Sequence, residues 1–304
     1  SLLTQLSPDY SNGRRRVSRM YTYGMVIDFH THILPPAILS NREAYLAKDT
    51  TLGTLFITDT SPMASAEDLI AAMDSDGIDS SVILGLGWTN LEIAKQVNDY
   101  LLESAQRYPG RLLPFCSVNP MWGDQGLEEI ERCVGLGAIG IGELHPDLQG
   151  YNLADPSVIT PIMLLAQKLN LIVLVHTSEP VGHQYPGKGA STPDVLLSFI
   201  EQFPDLSLVC AHWGGGLPFY ALMPEVRKAL GKVYFDTAVS PFLYDERIFS
   251  VVPKLGVASS ILMGSDFPLV RPKRLIEQVS NSELSSESKA SILGNNAHAL
   301  LRLP

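Results

Sequence analysis

Eight short apolar runs, rich in Val, Ile and Leu and separated by amphipathic stretches, set the tightest limit on how this chain folds. They read MVIDFHTH, SSVILGL, RLLPFCSV, AIGIGEL, LIVLVHT, LSLVCAH, KVYFDTA and SSILMGSD, each bounded by Gly, Pro, Asp or Asn. Near-continuous apolar strands alternating with helices make a parallel sheet covered on its outer face. Eight such units in the residues after Met25 fit an α/β fold of the closed (β/α)8 TIM-barrel type. The intervening segments carry helix signals: Ser65 as N-cap and Gly77 as a stop around SAEDLIAAMDSDG, and Asn90 opening a stretch that Pro109 and Gly110 close. A doubly wound open sheet would carry a glycine-rich phosphate loop after its first strand. Here that place holds His-Thr-His and two prolines.

Composition adds bounds. The chain has 304 residues, 45% hydrophobic and 18% charged, enough to bury a large core. Its formal net charge of -10 argues against nucleic acid as a partner, because phosphate binding needs clustered Lys and Arg. Cys116, Cys133 and Cys210 lack C-x-x-C spacing and read as buried free thiols of a cytoplasmic protein. No apolar run approaches the roughly 18 residues of a membrane span, so no membrane partner is expected. Residues 1–24, with the basic cluster GRRRVSR, read as a flexible N-terminal extension, and 25–304 as the barrel domain.

In a barrel, the carboxyl ends of distant strands meet at one mouth, where active sites are built. The polar residues at those ends are His30 and His32 on the first strand, Glu143 on the fourth, His176 on the fifth, His212 on the sixth and Asp266 on the eighth. Strand periodicity points His30 and His32 to the same side. Imidazoles and carboxylates gathered at one rim suit a divalent metal, zinc foremost, with manganese, iron or nickel as alternatives. Two long connections, Ile33 to Ala64 and Ser178 to Ser191, are expected to border the same mouth.

The motifs IDFHTH, LVHTSEP, CAHWGG, MGSDFP and GNNAHALL, in that order, resemble the amidohydrolase superfamily of metal-dependent barrels. Within it, the chain from Met25 onward is similar to the amidohydrolase-related branch that includes aminocarboxymuconate-semialdehyde decarboxylase-like and resorcylate decarboxylase-like enzymes. The resemblance implies a metal held by His30, His32, His176 and Asp266, with His212 beside it as a ligand or catalytic group. Glu143 resembles the bridging glutamate of a two-metal branch that includes metal-dependent DNases. In that case His30, His32 and Asp266 would hold one ion, and His176 and His212 the other. The decarboxylase-like members use one ion and do not need this ligand, and Glu143 could instead orient a histidine.

The function expected first is a metal-dependent hydrolase that cleaves a small amide, ester or lactone with metal-activated water, Asp266 acting as general base and His212 as oxyanion or proton partner. The alternative is a metal-dependent non-oxidative decarboxylase or hydratase of an unsaturated or aromatic carboxylic acid. A barrel holding metal only for stability is a third reading. The partner is a small molecule, and a homo-oligomer is left open. Among other residues, His145 either reaches the site or is a loop histidine fixed by Asp147, and His183 either meets substrate or is solvated. Asp236 reads as an anchor for its own loop, His298 as structural, Trp213 with Gly214 to Gly216 as a pocket wall, and Arg271 and Lys273 as surface residues.

Overall fold

The computed structural model describes residues 24–58 and 60–303, so the expected N-terminal extension lies, apart from Gly24, outside the described residues. The eight apolar runs form β1 (Ile27–His32), β2 (Ser80–Leu84), β3 (Leu112–Cys116), β4 (Gly140–Leu144), β5 (Ile172–Val175), β6 (Ser207–Cys210), β7 (Val233–Asp236) and β8 (Ile261–Leu262). All neighbouring pairs are parallel and follow sequence order. The ring closes between β8 and β1 without a regular ladder. There the N–H groups of Phe29, His32 and Asp266 donate to the carbonyls of Met263, Phe267 and His30 at 2.8, 2.7 and 2.9 Å. The fold is the TIM barrel.

Two apolar layers hold it. Ile27, Phe29, Leu84, Phe115, Leu174 and Leu262 fill the barrel, with Phe29 and Phe115 edge to face at 6.0 Å between ring centres. A larger layer between strands and helices includes Leu69, Val97, Ile130, Met163 and Phe199. Each such side chain contributes about 1.5–3 kcal/mol by leaving water. The capping signals act as expected. Ser65 and Asp68 form a capping box on helix Ala66–Asp76, which Gly77 ends at φ 79°. The Asn90 side chain accepts from Glu92 and Ile93 at the start of helix Leu91–Arg107.

The eighth run leaves the sheet after Leu262 rather than staying extended to Asp266, because Asp266 turns into the left-handed region at φ 67° and donates its N–H across the seam to His30. The chain's tail runs through helix Ser286–Ala290, a π-helical turn at Ser291–Asn295 and helix Asn296–Leu301. It packs against β1 and β8: Ile292 accepts from the N–H of Met263, the residue after β8, and Ala297 joins the barrel's inner cluster. The connection after β1 folds into three short helices, Pro36–Ser40, Arg42–Leu46 and Thr50–Leu55. Among the described residues no helix is long and apolar enough to cross a membrane. All three cysteines are free and buried.

Candidate metal centre

The ladder between β1 and β2 slips between Asp28 and Thr31. Phe29 therefore fills the barrel while His30 and His32 turn their rings over it, their Nε2 atoms 3.0 Å apart. On β4 the register shifts again between Ile141 and Leu144. Gly142 stands there at φ 156°, and a Cβ on it would lie 2.8 Å from the Leu174 carbonyl, so only glycine lets the strand present Glu143 this way. His176 directly follows β5. His212 lies two residues past β6 in the left-handed region at φ 54°.

All six residues read from the strand ends meet at one place. Glu143 sits at the centre. Its Oε2 is 3.5 Å from Nε2 of both His30 and His32, and its Oε1 is 3.0 Å from His176 Nδ1 and 3.6 Å from His212 Nε2. Asp266 Oδ1 lies 3.2 Å from His32 Nε2 and 3.8 Å from His30 Nε2. His212 Nε2 is 3.1 Å from His176 Nδ1. The donors thus form two trios, His30, His32 and Asp266 beside Glu143, His176 and His212, each with its atoms within 4.8 Å of one another.

Hydrogen bonding on the far side of the rings tests whether a metal fits. His30 Nδ1 is 2.8 Å from the Asp236 carboxylate, and Nδ1 of His32 and His212 face the carbonyls of Leu84 and Ala238 at 3.3 and 3.4 Å. Each partner accepts, so each Nδ1 carries a proton, and a ring that holds no second proton turns an Nε2 lone pair inward. Lone pairs 3.0 Å apart, among carboxylates, repel unless a cation lies between them. Burial works against charge on His30, yet Asp236, Glu143 and Asp266 hold its imidazole well above its ordinary range. Burial likewise opposes the Glu143 charge, but His30, His176 and His212 keep that carboxylate well below its usual range. The carboxylates demand positive charge, from protons on the histidines or from a divalent ion, and a set of nitrogen and oxygen donors suits the ion. His176 Nε2, on the far side of its ring, is buried without a hydrogen-bond partner.

Asp236 organises the group from behind. One oxygen receives His30, while the other accepts the N–H of His212 at 2.9 Å and of Ala238 at 3.0 Å. It anchors its own loop, as expected, and also fixes residues of β1 and of the turn after β6. Its place at the end of β7 is the signal that marked the six donors. Left-handed backbone at His212, Trp213, Val239 and Asp266 surrounds the site and costs of order 1–3 kcal/mol each. Trp213 is not a pocket wall: it is fully buried, packs against Phe249 and donates to Ser240 Oγ.

A cavity of about 390 Å³ opens above the donors. The first long connection contributes Leu55, Phe56, Ser61 and Pro62 to it, and the second His183, Tyr185 and Pro186. Arg42 donates to the carbonyls of Phe56, Thr58 and Ser61, which holds the first connection in shape. Asp147 does not fix His145; it accepts from Ala190 N–H at 2.8 Å and pins the second connection. His145 lines the cavity, buried, its ring stacked on His176 at 3.9 Å between centres and both ring nitrogens without a partner. Burial, then the nearby His176, push its pKa well down, so the ring is neutral. His183 is exposed at the mouth. His298 lies in the tail helix, and Arg271 and Lys273 pair with Asp76 and Glu277 on the outside.

Comparison with known proteins agrees with this architecture. The chain is 27% identical, over an alignment of 338 positions covering 91% of each chain, to a 2-amino-3-carboxymuconate-6-semialdehyde decarboxylase of Dictyostelium discoideum. It is 21% identical to a gamma-resorcylate decarboxylase of Rhizobium sp., over 70% of this chain and 77% of that one. A manganese-bound 5-carboxyvanillate decarboxylase of Novosphingobium aromaticivorans superposes with a TM-score of 0.73 at 18% identity, over 93% of this chain and 97% of that one. The model of the amidohydrolase family matches residues 27–303, and with its donors gathered at the barrel mouth the chain belongs to that family.

Proposed function

We propose that the protein is a metal-dependent, non-oxidative decarboxylase of a small aromatic carboxylic acid. A joint observation carries this reading: relatives and neighbours are named as decarboxylases, and a donor cluster suited to a divalent ion floors a cavity large enough for an aromatic ring. The hydrolase expected first has no such support among the named relatives.

His30, His32, His176 and Asp266 would hold the ion, with Glu143 and His212 against it, and the ion when bound supplies a Lewis acid for the substrate's oxygens. Asp266 has the most exposed side chain of the six, at 16%. It is therefore the group placed to move a proton. Against burial, His30 and His32 hold the Asp266 pKa down, so it is a carboxylate at rest and first takes a proton from solvent. That proton passes to the ring carbon, the bond from this carbon to the carboxylate breaks, and carbon dioxide leaves. His212, its Nδ1 facing the Ala238 carbonyl, turns Nε2 toward Glu143 and His176 and would add a nitrogen ligand on that side of the ion.

The test is to load the protein with manganese or zinc and offer it a panel of hydroxylated aromatic acids in deuterated water. Release of carbon dioxide, with deuterium at the vacated ring carbon, is expected. Ring acids left intact while a lactone or amide opens would overturn the reading. The hydrolytic alternative keeps one observation in its favour, the Glu143 carboxylate set between the His30–His32 pair and the His176–His212 pair.

A further inference from the structure

The cavity is charged at its floor and apolar above it. Glu143 and Asp266 are the lining carboxylates, and Leu55, Phe56, Leu86, Val239, Phe242 and Leu269 supply much of the wall. Among the described residues no Lys or Arg lines it. The cations nearby are committed elsewhere. Arg42 binds three loop carbonyls, and Lys188 donates to the carbonyls of Val181 and His183 at 2.8 and 2.9 Å. Arg271 pairs with Asp76 at 2.8 Å. Arg274 stacks on Phe242, 5.6 Å from the ring centre, without lining the cavity.

We infer that the substrate is an acid whose only anionic group is the one set against the metal centre, its far end being uncharged. The inference rests on the decarboxylase reading and narrows it. A carboxylate pushed against the apolar wall would be an unpaired ion withdrawn from water, which costs far more than the contacts it makes. The first carboxylate escapes that cost because the donors and their ion neutralise it. A second one directed away from the floor meets no Lys or Arg, only the hydroxyls of Ser61 and Tyr185 and the exposed His183 ring at the mouth. Uncharged substituents of the same size and shape meet the apolar wall, the His145 ring and the neutral hydroxyls of Ser61 and Tyr185 without leaving an ion unpaired.

Two derivatives of salicylate separate charge from shape, one with a nitro group para to the carboxylate and one with a second carboxylate there. Both substituents are planar and of similar size. Their dissociation constants are measured by calorimetry on the full-length, manganese-loaded protein at about pH 8, where imidazoles in water are uncharged. The nitro acid is expected to bind about tenfold more tightly or better. Equal or tighter binding of the diacid would overturn the inference and leave decarboxylation standing. If neither acid binds while the protein holds its metal, the inference falls together with the decarboxylase reading.

Discussion

The Asp236 carboxylate lies 2.8 Å from Nδ1 of His30 and so decides which nitrogen of that ring faces the other donors. In Asp236→Asn the remaining oxygen can still serve the N–H groups of His212 and Ala238, but an amide turned to His30 favours the opposite tautomer, with Nε2–H pointing at the would-be ion. Metal affinity is expected to fall about 10- to 100-fold with the fold intact. Titration against a metal buffer, with circular dichroism as the folding control, checks this; unchanged affinity would mean that His30 does not bind through Nε2.

Metal content separates the two chemistries. The decarboxylase reading expects one tightly held ion per chain by elemental analysis after gel filtration. Two ions per chain, with one lost in Glu143→Gln, would instead place Glu143 as a bridge and favour activated water.

His145 offers a neutral imidazole to whatever occupies the cavity. His145→Phe keeps a flat ring against His176 but removes both nitrogens. Metal content should be unchanged, KM should rise about tenfold for the loss of one hydrogen bond, and kcat should move less. If steady-state kinetics show KM unmoved, the ring serves packing alone.

Glu129 gives a pH-dependent term away from the site. Its side chain is 1% exposed, and burial opposes its charge, but hydrogen bonds from Arg132, Asn98 and Cys133 outweigh this and lower its pKa below the ordinary 4.5. Its folded value lies below its unfolded value. The stabilisation is therefore complete above about pH 4.5 and fades as pH falls through the folded value. Glu129→Gln should cost roughly 1–3 kcal/mol at neutral pH. Urea melts at descending pH should show that deficit shrinking in acid.

That these six side chains share one rim is legible in the sequence, because strand periodicity and the barrel rule bring distant positions together. Boundaries and backbone conformation are not. His176 and His212 stand just beyond their strands, and Asp266 beyond a strand that ends at Leu262, since the left-handed turns at His212 and Asp266 follow from tertiary hydrogen bonds to Asp236 and His30 that leave no local pattern. The sequence shows Asp236 only beside its own loop, because its bond to His30 spans 206 positions. The glycines after Trp213 suggest open space and so a pocket wall. Its indole N–H instead finds Ser240, which no spacing in the sequence announces.

The seam between β8 and β1 lacks a regular ladder, and His30, His32 and Asp266 stand on its two sides. An ion shared by those three side chains would be a clasp on the weakest joint of the cylinder, tying the first strand to the last. Stripping it with a chelator should then speed deuterium uptake first at the amides of Phe29, His32 and Asp266, before the outer helices loosen.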